Sequence, residues 1–171
     1  VNVSSATDGQ TLVFQVVDNV GTWVPGTGGV SKADLQNVYV YGKASVAITK
    51  GQAIQFAGAQ GDHALIKPAV PSEINAEPTL IIGIAETDLA INEFGYVIVN
   101  GRLTLDTSVY AAGDLLYFAS AGTVAGALTT TEPTDPNPSI QLAAVSIDGV
   151  GNGEFVIRTT ILTRQINEVI G

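Results

Sequence analysis

His63, the one histidine of the chain, is the residue best suited to acid–base or metal chemistry, because imidazole titrates near neutral pH. It follows Gly61 and Asp62 in a polar stretch that predicts a turn. A catalytic or metal-bound histidine needs several partners, and the sequence offers only the adjacent Asp62. We therefore interpret His63 as an exposed loop residue and predict no metal site.

Three carboxylates behind one predicted strand form the next candidate site. Glu86 and Asp88 follow the apolar run 80–85, and Glu93 lies a few residues further on. A pair of carboxylates can hydrolyse a glycosidic bond or bind Ca²⁺. A calcium loop alternates its oxygen ligands around a glycine, and the residues after Asp88 do not continue such a pattern. We interpret these carboxylates as turn-capping groups, and an enzyme that cleaves glycans with Glu86 and Asp88 is the alternative.

Motifs for nucleophilic catalysis and phosphate binding are missing from the sequence. The glycine-rich run 26–29 lacks the Lys-Ser/Thr pair that ends a phosphate-binding loop, so it predicts a flexible joint. No serine lies in a Gly-x-Ser-x-Gly elbow, and the chain has no cysteine. We predict no catalytic residues and no cofactor, and therefore a protein that is not an enzyme.

Charge and composition exclude several classes of partner. The 171 residues carry a formal net charge of −9, and the 7 basic residues are scattered along the sequence. The sequence therefore has no cluster of basic residues that could bind nucleic acid or an anionic membrane. No apolar run approaches the ~20 residues of a membrane span. Charged residues make up 13% of the chain, about half of the usual ~25%, which suits a subunit partly covered by partners. Methionine is absent and the chain begins at Val1, so either an initiator methionine was removed or this is a processed piece of a longer chain, and we favour the second.

The Asn100-Gly101 dipeptide lies between two apolar runs and predicts a β-hairpin with a type I′ turn. A two-residue loop would set the register so that Ile98 faces Leu103. One face of this hairpin would then be wholly apolar, with Tyr96, Ile98, Leu103 and Leu105. Such a hairpin needs a sheet or a barrel to cover its apolar face.

The body of the chain repeats its own pattern of strands and turns. Three segments have counterparts further on: 50–57 in 112–119, 80–85 in 140–145, and 94–99 in 152–157. Each half, about 49–105 and 111–162, is too small to bury a core alone. We predict an all-β fold, a small β-barrel or sandwich in which the two halves cover each other's apolar faces.

The two ends of the chain predict appendages to this body. Residues 1–30 predict a β-hairpin arm, residues 31–36 a linker, and residues 37–171 the barrel domain with a tail over 163–171. The tail has an amphipathic helical spacing, which suits either a frayed turn on its own domain or a docking segment for a neighbouring subunit. The residues predicted to lie at an assembly interface are Trp23, Leu162, Ile166 and Ile170.

Aromatic residues could bind a sugar by stacking, and the candidates are Trp23, Tyr39, Tyr41, Tyr96, Tyr110 and Tyr117. Most of them lie in predicted strands, whereas a sugar platform calls for aromatic residues in loops. We therefore expect them to pack in the core or at a subunit interface.

Several motifs of the chain resemble those of bacteriophage virion proteins. Residues 8–14, Asp-Gly-Gln-Thr-Leu-Val-Phe, and 21–26, Gly-Thr-Trp-Val-Pro-Gly, resemble a hairpin module of tail-fibre proteins, notably those of cyanophages. The body is similar to a domain of the same kinds of protein in the segments 38–40, 50–53, 58–63, 83–86, 94–97, 112–117 and 129–134. The duplicated strand order resembles that of small β-barrel proteins that decorate capsids.

The resemblance implies a non-enzymatic virion structural protein on the surface of the phage particle, as a fibre or head-decoration subunit. It implies a homo-oligomer, with a trimer favoured, that contacts other capsid or tail proteins, and it supplies no catalytic residues. The alternative is a receptor- or glycan-binding module of a tail fibre, whose contact surface would be the loops 58–63, 68–78 and 131–138. A glycan of the host surface is then the expected ligand.

Overall fold

The computed structural model describes residues 12–17, 20–25 and 37–162 of the chain. The chain divides into two compact units, residues 1–35 and 36–171. Each unit is described by itself below.

The first unit contains an antiparallel hairpin where the sequence predicts strands. Strand β1 (Leu12–Val17) pairs with strand β2 (Val20–Pro25), and Val17 lies opposite Val20. The predicted boundaries of the arm, the linker and the tail stay predictions, because the linker and tail residues lie outside the described ranges.

The described part of the second unit consists mostly of strands. They are β3 (Val38–Ala44), β4 (Ala53–Gln60), β5 (His63–Pro68), β6 (Ile81–Ala85), β7 (Phe94–Leu105), β8 (Leu115–Phe118), β9 (Leu128–Thr129), β10 (Ser139–Ile147) and β11 (Gly153–Leu162). Between β5 and β6 lie a short α-helix, α1 (Pro71–Ala76), and a 3-10 helix (Pro78–Leu80). The predicted all-β class is confirmed.

These nine strands form one sheet in the order β3-β5-β4-β6-β7-β11-β10-β8-β9. Strand β3 also pairs with β7, so β3, β5, β4, β6 and β7 close into a barrel. Strands β11, β10, β8 and β9 continue from β7 as an open extension. The predicted barrel is therefore confirmed, and it is accompanied by a second, open part of the same sheet.

The predicted hairpin at Asn100-Gly101 is wrong. Both residues lie inside β7, a continuous strand of 12 residues. The N-terminal part of β7 pairs with β3 and β6, and its C-terminal part, from Asn100 onward, pairs with β11. The chain thus changes partners at the dipeptide without reversing direction. Tyr96 is exposed as a result, whereas Ile98 and Leu103 are buried.

The side chain of Asn37 explains why a glycine occurs at this point of β7. Asn37 Oδ1 accepts a hydrogen bond from Arg102 N at 2.7 Å, and its Nδ2 donates to Arg102 O at 3.0 Å. The amide therefore replaces a backbone neighbour just before β3 begins. Gly101 has a φ of +142°, and a Cβ at this position would overlap the Asn37 side chain. Gly101 permits a close approach and a left-handed backbone, but no turn.

Two hydrophobic cores share the central strands. The barrel core consists of Ala44, Ile48, Ile54, Ile66, Ile82, Ala85, Leu89 and Val97. A larger second core lies between the outer side of β4, β6 and β7 and the extension, and it includes Leu116, Phe118, Leu142 and Phe155. All residues of β6 are buried, since Ile82 faces the barrel core while Ile81 and Ile84 face the second core.

A tight turn occurs twice with the same hydrogen bonds, once in each half. In the first half, Gly51 N donates to Ala85 O at 3.0 Å, and Ala85 N donates to Gln52 O at 2.9 Å. In the second half, the corresponding bonds run from Gly113 N to Val145 O at 2.8 Å and from Val145 N to Asp114 O at 2.9 Å. Gly51 and Gly113 both have positive φ, +86° and +95°. These turns therefore occupy equivalent positions in the two halves.

The strand pairing next to these turns is also repeated. In the first half, Ile84 lies opposite Ala53 on one side and opposite Ile98 on the other. In the second half, Ala144 lies in the same way between Leu115 and Val156. The order β4-β6-β7 of the first half thus corresponds to β8-β10-β11 of the second.

The two halves do not cover equivalent faces of each other, contrary to the expectation from the sequence. Ile54 lies in the barrel core, whereas its counterpart Leu116 lies in the second core. The inner face of the first half is covered inside the barrel, because β3 and β5 complete the ring of strands. The inner face of the second half instead packs on the outer face of the first.

Candidate interaction surfaces

His63 lies at the start of β5 and its side chain is half exposed. Its Nε2 is 3.3 Å from Asp62 Oδ1, and its ring meets the ring of Phe94 edge-on with centroids 4.9 Å apart. Among the residues that the structure describes, no three His, Asp or Glu side chains are grouped closely enough to hold a metal ion. The partner of His63 that the sequence did not indicate is thus an aromatic ring.

The three carboxylates considered for catalysis have separate partners. Asp88 Oδ1 accepts a hydrogen bond from Lys50 N at 2.7 Å, and Glu93 Oε2 accepts one from Ala90 N at 2.7 Å. Both therefore cap turns. Glu86 Oε1 accepts from the hydroxyl of Tyr39 at 3.1 Å.

A polar network holds α1 against the barrel strands. The buried Gln55 accepts a hydrogen bond from Val70 N at 2.6 Å and donates to Glu73 Oε2 at 2.7 Å. Lys67 Nζ donates to Glu73 Oε1, also at 2.7 Å. This bond from Lys67 is the main reason why the pKa of Glu73 lies below its ordinary value. The network fixes the helix and leaves the Glu73 carboxylate engaged on both oxygens.

A small cleft of about 230 Å³ lies between the turn of the first half and the segment after β7. Lys50, Gln52, Asp106 and Tyr110 contribute polar groups to its wall, and Phe155 contributes apolar surface. Hydrogen bonds from Ser108 lower the pKa of Asp106, and burial raises the pKa of Tyr110. Asp106 is thus already paired within its own turn.

Among the described residues, the largest group of ring contacts is a row on the outer face of the barrel, here called the aromatic strip: Tyr39, Tyr41, His63, Phe94 and Tyr96. The Tyr41 ring has centroid distances of 4.9 Å to Tyr96 and 5.6 Å to Phe94. Tyr39 extends the row beyond Tyr96, at 5.4 Å. Relative exposures of Tyr39, Tyr41, Phe94 and Tyr96 run from 37% to 53%, which is high for aromatic residues of a strand.

Alternation along two neighbouring strands creates the aromatic strip. Tyr39 and Tyr41 point outward from β3, and Phe94 and Tyr96 point outward from β7, with Tyr41 directly opposite Tyr96. Between them, the buried Gly42 and Gly95 lie opposite each other. Cβ atoms there would crowd Ile66 and Leu89, so the inward positions are small and the outward ones large.

Polar side chains border the aromatic strip. Asn37 Nδ2 donates to the Tyr39 hydroxyl at 3.0 Å, and that hydroxyl donates to Glu86. At the other end, Lys43 Nζ lies 5.9 Å from the centroid of Phe94 and donates to Gln60 Oε1 at 2.8 Å. Hydrogen-bonding groups therefore accompany the rings on both ends of the strip.

The tyrosines considered for sugar binding divide into two groups. Tyr39, Tyr41 and Tyr96 form the exposed strip, whereas Tyr117 is buried and Tyr110 is half-buried against the second core. Alternation of aromatic residues with glycine and valine in 38–42 and 94–97 was the available signal. This alternation identifies residues on one face of a strand, but it does not indicate whether that face packs on the protein or is exposed to solvent.

A second exposed surface lies on the outer face of the extension. Leu115, Ala144 and Val156 lie side by side across β8, β10 and β11, here called the aliphatic row. Leu115 is 43% exposed and Val156 39%. Their counterparts Ala53, Ile84 and Ile98 in the first half are fully buried beneath the second half.

The residues predicted for an assembly interface lie in different parts of the chain. Leu162 ends β11 and is 39% exposed. Trp23 lies in β2, and its side chain is outside the described structure, as are Ile166 and Ile170. The prediction for these four residues therefore stays a prediction.

The loops predicted as a contact surface have distinct structures. The segment 58–63 forms the exposed β4–β5 turn and brings His63 to the aromatic strip. The segment 68–78 contains α1. The segment 131–138 borders a shallow groove of about 440 Å³, with Ala119, Ala121, Gly122 and Thr129 among the other lining residues.

The chain matches no protein-family model and no curated protein. It is similar to a solved structure, the N base of the head fibre gp8.5 of bacteriophage phi29, at 15% identity and a TM-score of 0.43. The similarity covers 75% of this chain and 99% of that one. At this distance no function is transferred from it. No helix in the described residues is long and apolar enough to cross a membrane.

Proposed function

We propose that the protein is a non-enzymatic structural subunit of a bacteriophage particle, exposed on the particle surface as part of a fibre or a head decoration. The subunit assembles as a homo-oligomer, with a trimer as the expected state, and contacts other capsid or tail proteins. The motifs of segments 8–14, 21–26 and 112–117, which resemble those of phage virion proteins, support the assignment to a phage. The aliphatic row supports the assembly.

The observation that carries the proposed assembly is the difference in burial between two equivalent rows of residues. Ala53, Ile84 and Ile98 are covered because the second half of the same chain packs on them. The aliphatic row has the same register in the second half, and no further repeat follows within the described chain to cover it. A second copy of the protein is the cover that we assign to it.

Surface composition agrees with this assignment. Charged residues are only 13% of the chain, and Ile147, close to the aliphatic row on β10, is 48% exposed. Contiguous exposed apolar surface is typical of protein–protein contacts, and obligate interfaces resemble a domain core cut in half. Assembly would stabilise each subunit by covering this surface.

Sedimentation of the purified protein tests the assembly. We expect the wild type to sediment as an oligomer, and the double variant Leu115→Glu/Val156→Glu to sediment as a folded monomer, because covering the row would then bury unpaired carboxylates. Val124→Glu is the matched control, since Val124 is apolar and 66% exposed but lies outside the row. A wild type that stays monomeric at high concentration contradicts the assembly.

Electron microscopy of phage particles labelled with a gold-conjugated antibody tests the location. Gold on the head surface supports a head decoration, and gold on the tail supports a fibre. Particles that carry no label, although the same antibody detects the denatured protein in the lysate, contradict a virion role.

A further inference from the structure

We propose that the aromatic strip binds a neutral oligosaccharide, whose pyranose rings lie with their apolar C–H faces on the aromatic rings. This inference goes beyond a structural role in the particle. It uses a different surface from the aliphatic row, so it holds whether or not the chain assembles through that row.

The shape of the strip fits a linear chain molecule. The rings follow one another from Tyr39 through Tyr96, Tyr41 and Phe94 to His63, and every neighbouring pair of centroids is 4.9 to 5.6 Å apart. The feature is therefore long and one or two rings wide. Consecutive sugar units of an extended oligosaccharide have a comparable spacing. Neighbouring ring planes are inclined by 17° to 77°, so a sugar chain would contact ring faces and ring edges in turn.

The chemistry of the strip is amphipathic in the way that a sugar requires. Rings supply apolar contact area, while the hydroxyls of Tyr41 and Tyr96 and the side chains of Lys43, Asp62 and Glu86 supply donors and acceptors beside them. These groups can exchange hydrogen bonds with sugar hydroxyls, whereas Leu115, Ala144 and Val156 of the aliphatic row offer such a ligand no polar side chain.

Charge favours a neutral glycan over an acidic one. The strip is bordered by one cation, Lys43, and by the carboxylates of Glu86 and Asp62. The whole chain carries a net charge of −9. Acidic polysaccharides are repelled by such a field, whereas neutral hydroxyl groups can pair with both kinds of side chain.

The strip is held in place before any ligand arrives. The β3–β7 ladder fixes Tyr41 opposite Tyr96, and the Tyr39 hydroxyl is held between Asn37 and Glu86. Tyrosine also has few rotatable bonds, so its ordering on binding costs little. Preorganisation of this kind increases affinity by reducing the entropy lost on binding.

A panel of neutral hexasaccharides tests the proposal: cellohexaose, maltohexaose, mannohexaose and the hexamer of N-acetylglucosamine, presented on an array and then titrated by saturation-transfer NMR. We expect the full chain to bind at least one of them, with the strongest saturation on protons of one sugar face. Absence of binding to the whole panel, with a native circular dichroism spectrum, overturns the proposal.

Three variants of Tyr41 separate sugar stacking from apolar burial. We expect Tyr41→Ala and Tyr41→Leu each to weaken binding about tenfold or more, because neither has a ring, and Tyr41→Phe to stay within about threefold of the wild type. Leu115→Ser, on the aliphatic row, is the matched control and should leave sugar binding unchanged.

The Tyr41→Leu variant is the decisive test of ring stacking. Wild-type affinity in Tyr41→Leu overturns the proposal, because apolar bulk without a ring would then be sufficient. A change of oligomeric state in Tyr41→Ala with unchanged sugar binding also overturns it and assigns the strip to a protein partner.

Discussion

The first and second halves of the barrel unit use one strand pattern in two different ways. Both have the same glycine turn, at Gly51 and Gly113, and the same pairing of three strands. The first half, which contains β4 to β7, closes into a barrel because β3 pairs with both β5 and β7. The second half stays open and packs its inner face on the outside of the first.

This difference teaches where the surfaces for partners arise. In the first half, the outer face is partly covered by the second half and carries the aromatic strip where it is not covered. In the second half, Leu115 and Val156 on the outer face are exposed, and the aliphatic row lies there. The repeat thus produces an open face at its end, as stacked repeats generally do.

The largest expected effect comes from equivalent core residues. Ile54→Ala, in the barrel core, and Leu116→Ala, in the second core, should each lower the free energy of unfolding by about 3 kcal/mol, because each removes a fully buried side chain. Denaturant titration followed by circular dichroism measures the loss.

We further expect one cooperative transition in both variants, since β6 is buried by both cores at once. A two-step curve for either variant would mean that the halves unfold separately, and the shared-core description would then be wrong.

The matched turns give the next effect. Gly51→Ala should destabilise by about 2 kcal/mol and Gly113→Ala by about 1 kcal/mol, because both alanines adopt positive φ but only the first also crowds a neighbour. A Cβ on Gly51 would lie 2.8 Å from Leu105 Cδ1, whereas Gly113 faces open space. Thermal or denaturant unfolding measures both losses of stability. Equal losses would contradict a destabilising contact between the added Cβ at Gly51 and Leu105.

Asn37→Ala should cost about 1 kcal/mol, because it removes the hydrogen bonds to Arg102 N and O at the point where β7 leaves the barrel. Asn37→Asp, which can accept from Arg102 N but cannot donate to Arg102 O, should lie between the wild type and the alanine variant. Hydrogen exchange of the Arg102 amide reports the local effect, and unchanged protection in Asn37→Ala would contradict the role assigned to this side chain.

The smallest effect is a pH dependence confined to the first half. The folded-state pKa of Glu73 is lowered, so its stabilisation is fully present above the ordinary pKa of about 4.3 and is lost as the pH falls through the folded value. Glu73→Gln should therefore flatten the acid limb of stability against pH. An acid limb that is identical in the variant and the wild type would exclude this carboxylate as its source.

The class of the fold and its internal repeat could be read from the sequence because both depend on local patterns. The glycine turn at Gly51 recurs at Gly113 with an apolar strand after it, and short apolar runs predict strands. The error at Asn100-Gly101 has a non-local cause, since the glycine is needed for the approach of Asn37, which precedes β3. A dipeptide alone does not distinguish these two reasons for a glycine.

The candidate sites were less accessible to sequence reasoning. The interpretation of Asp88 as a turn cap agrees with the structure, whereas His63, which was expected in a loop, is the half-exposed first residue of β5 and packs against Phe94. The aromatic strip was missed, because which face of β3 and β7 is covered depends on the packing of the second half. The prediction that Trp23 lies at an interface stays untested, since its strand is described but its side chain is not.

The position of Asn37 also has a mechanical consequence. A pull that reaches the barrel unit through Asn37 would load its hydrogen bonds to Arg102 and the ladder between β3 and β7. Since β7 also pairs with β6 and β11, the tension would be passed to the middle of the sheet, which borders both cores.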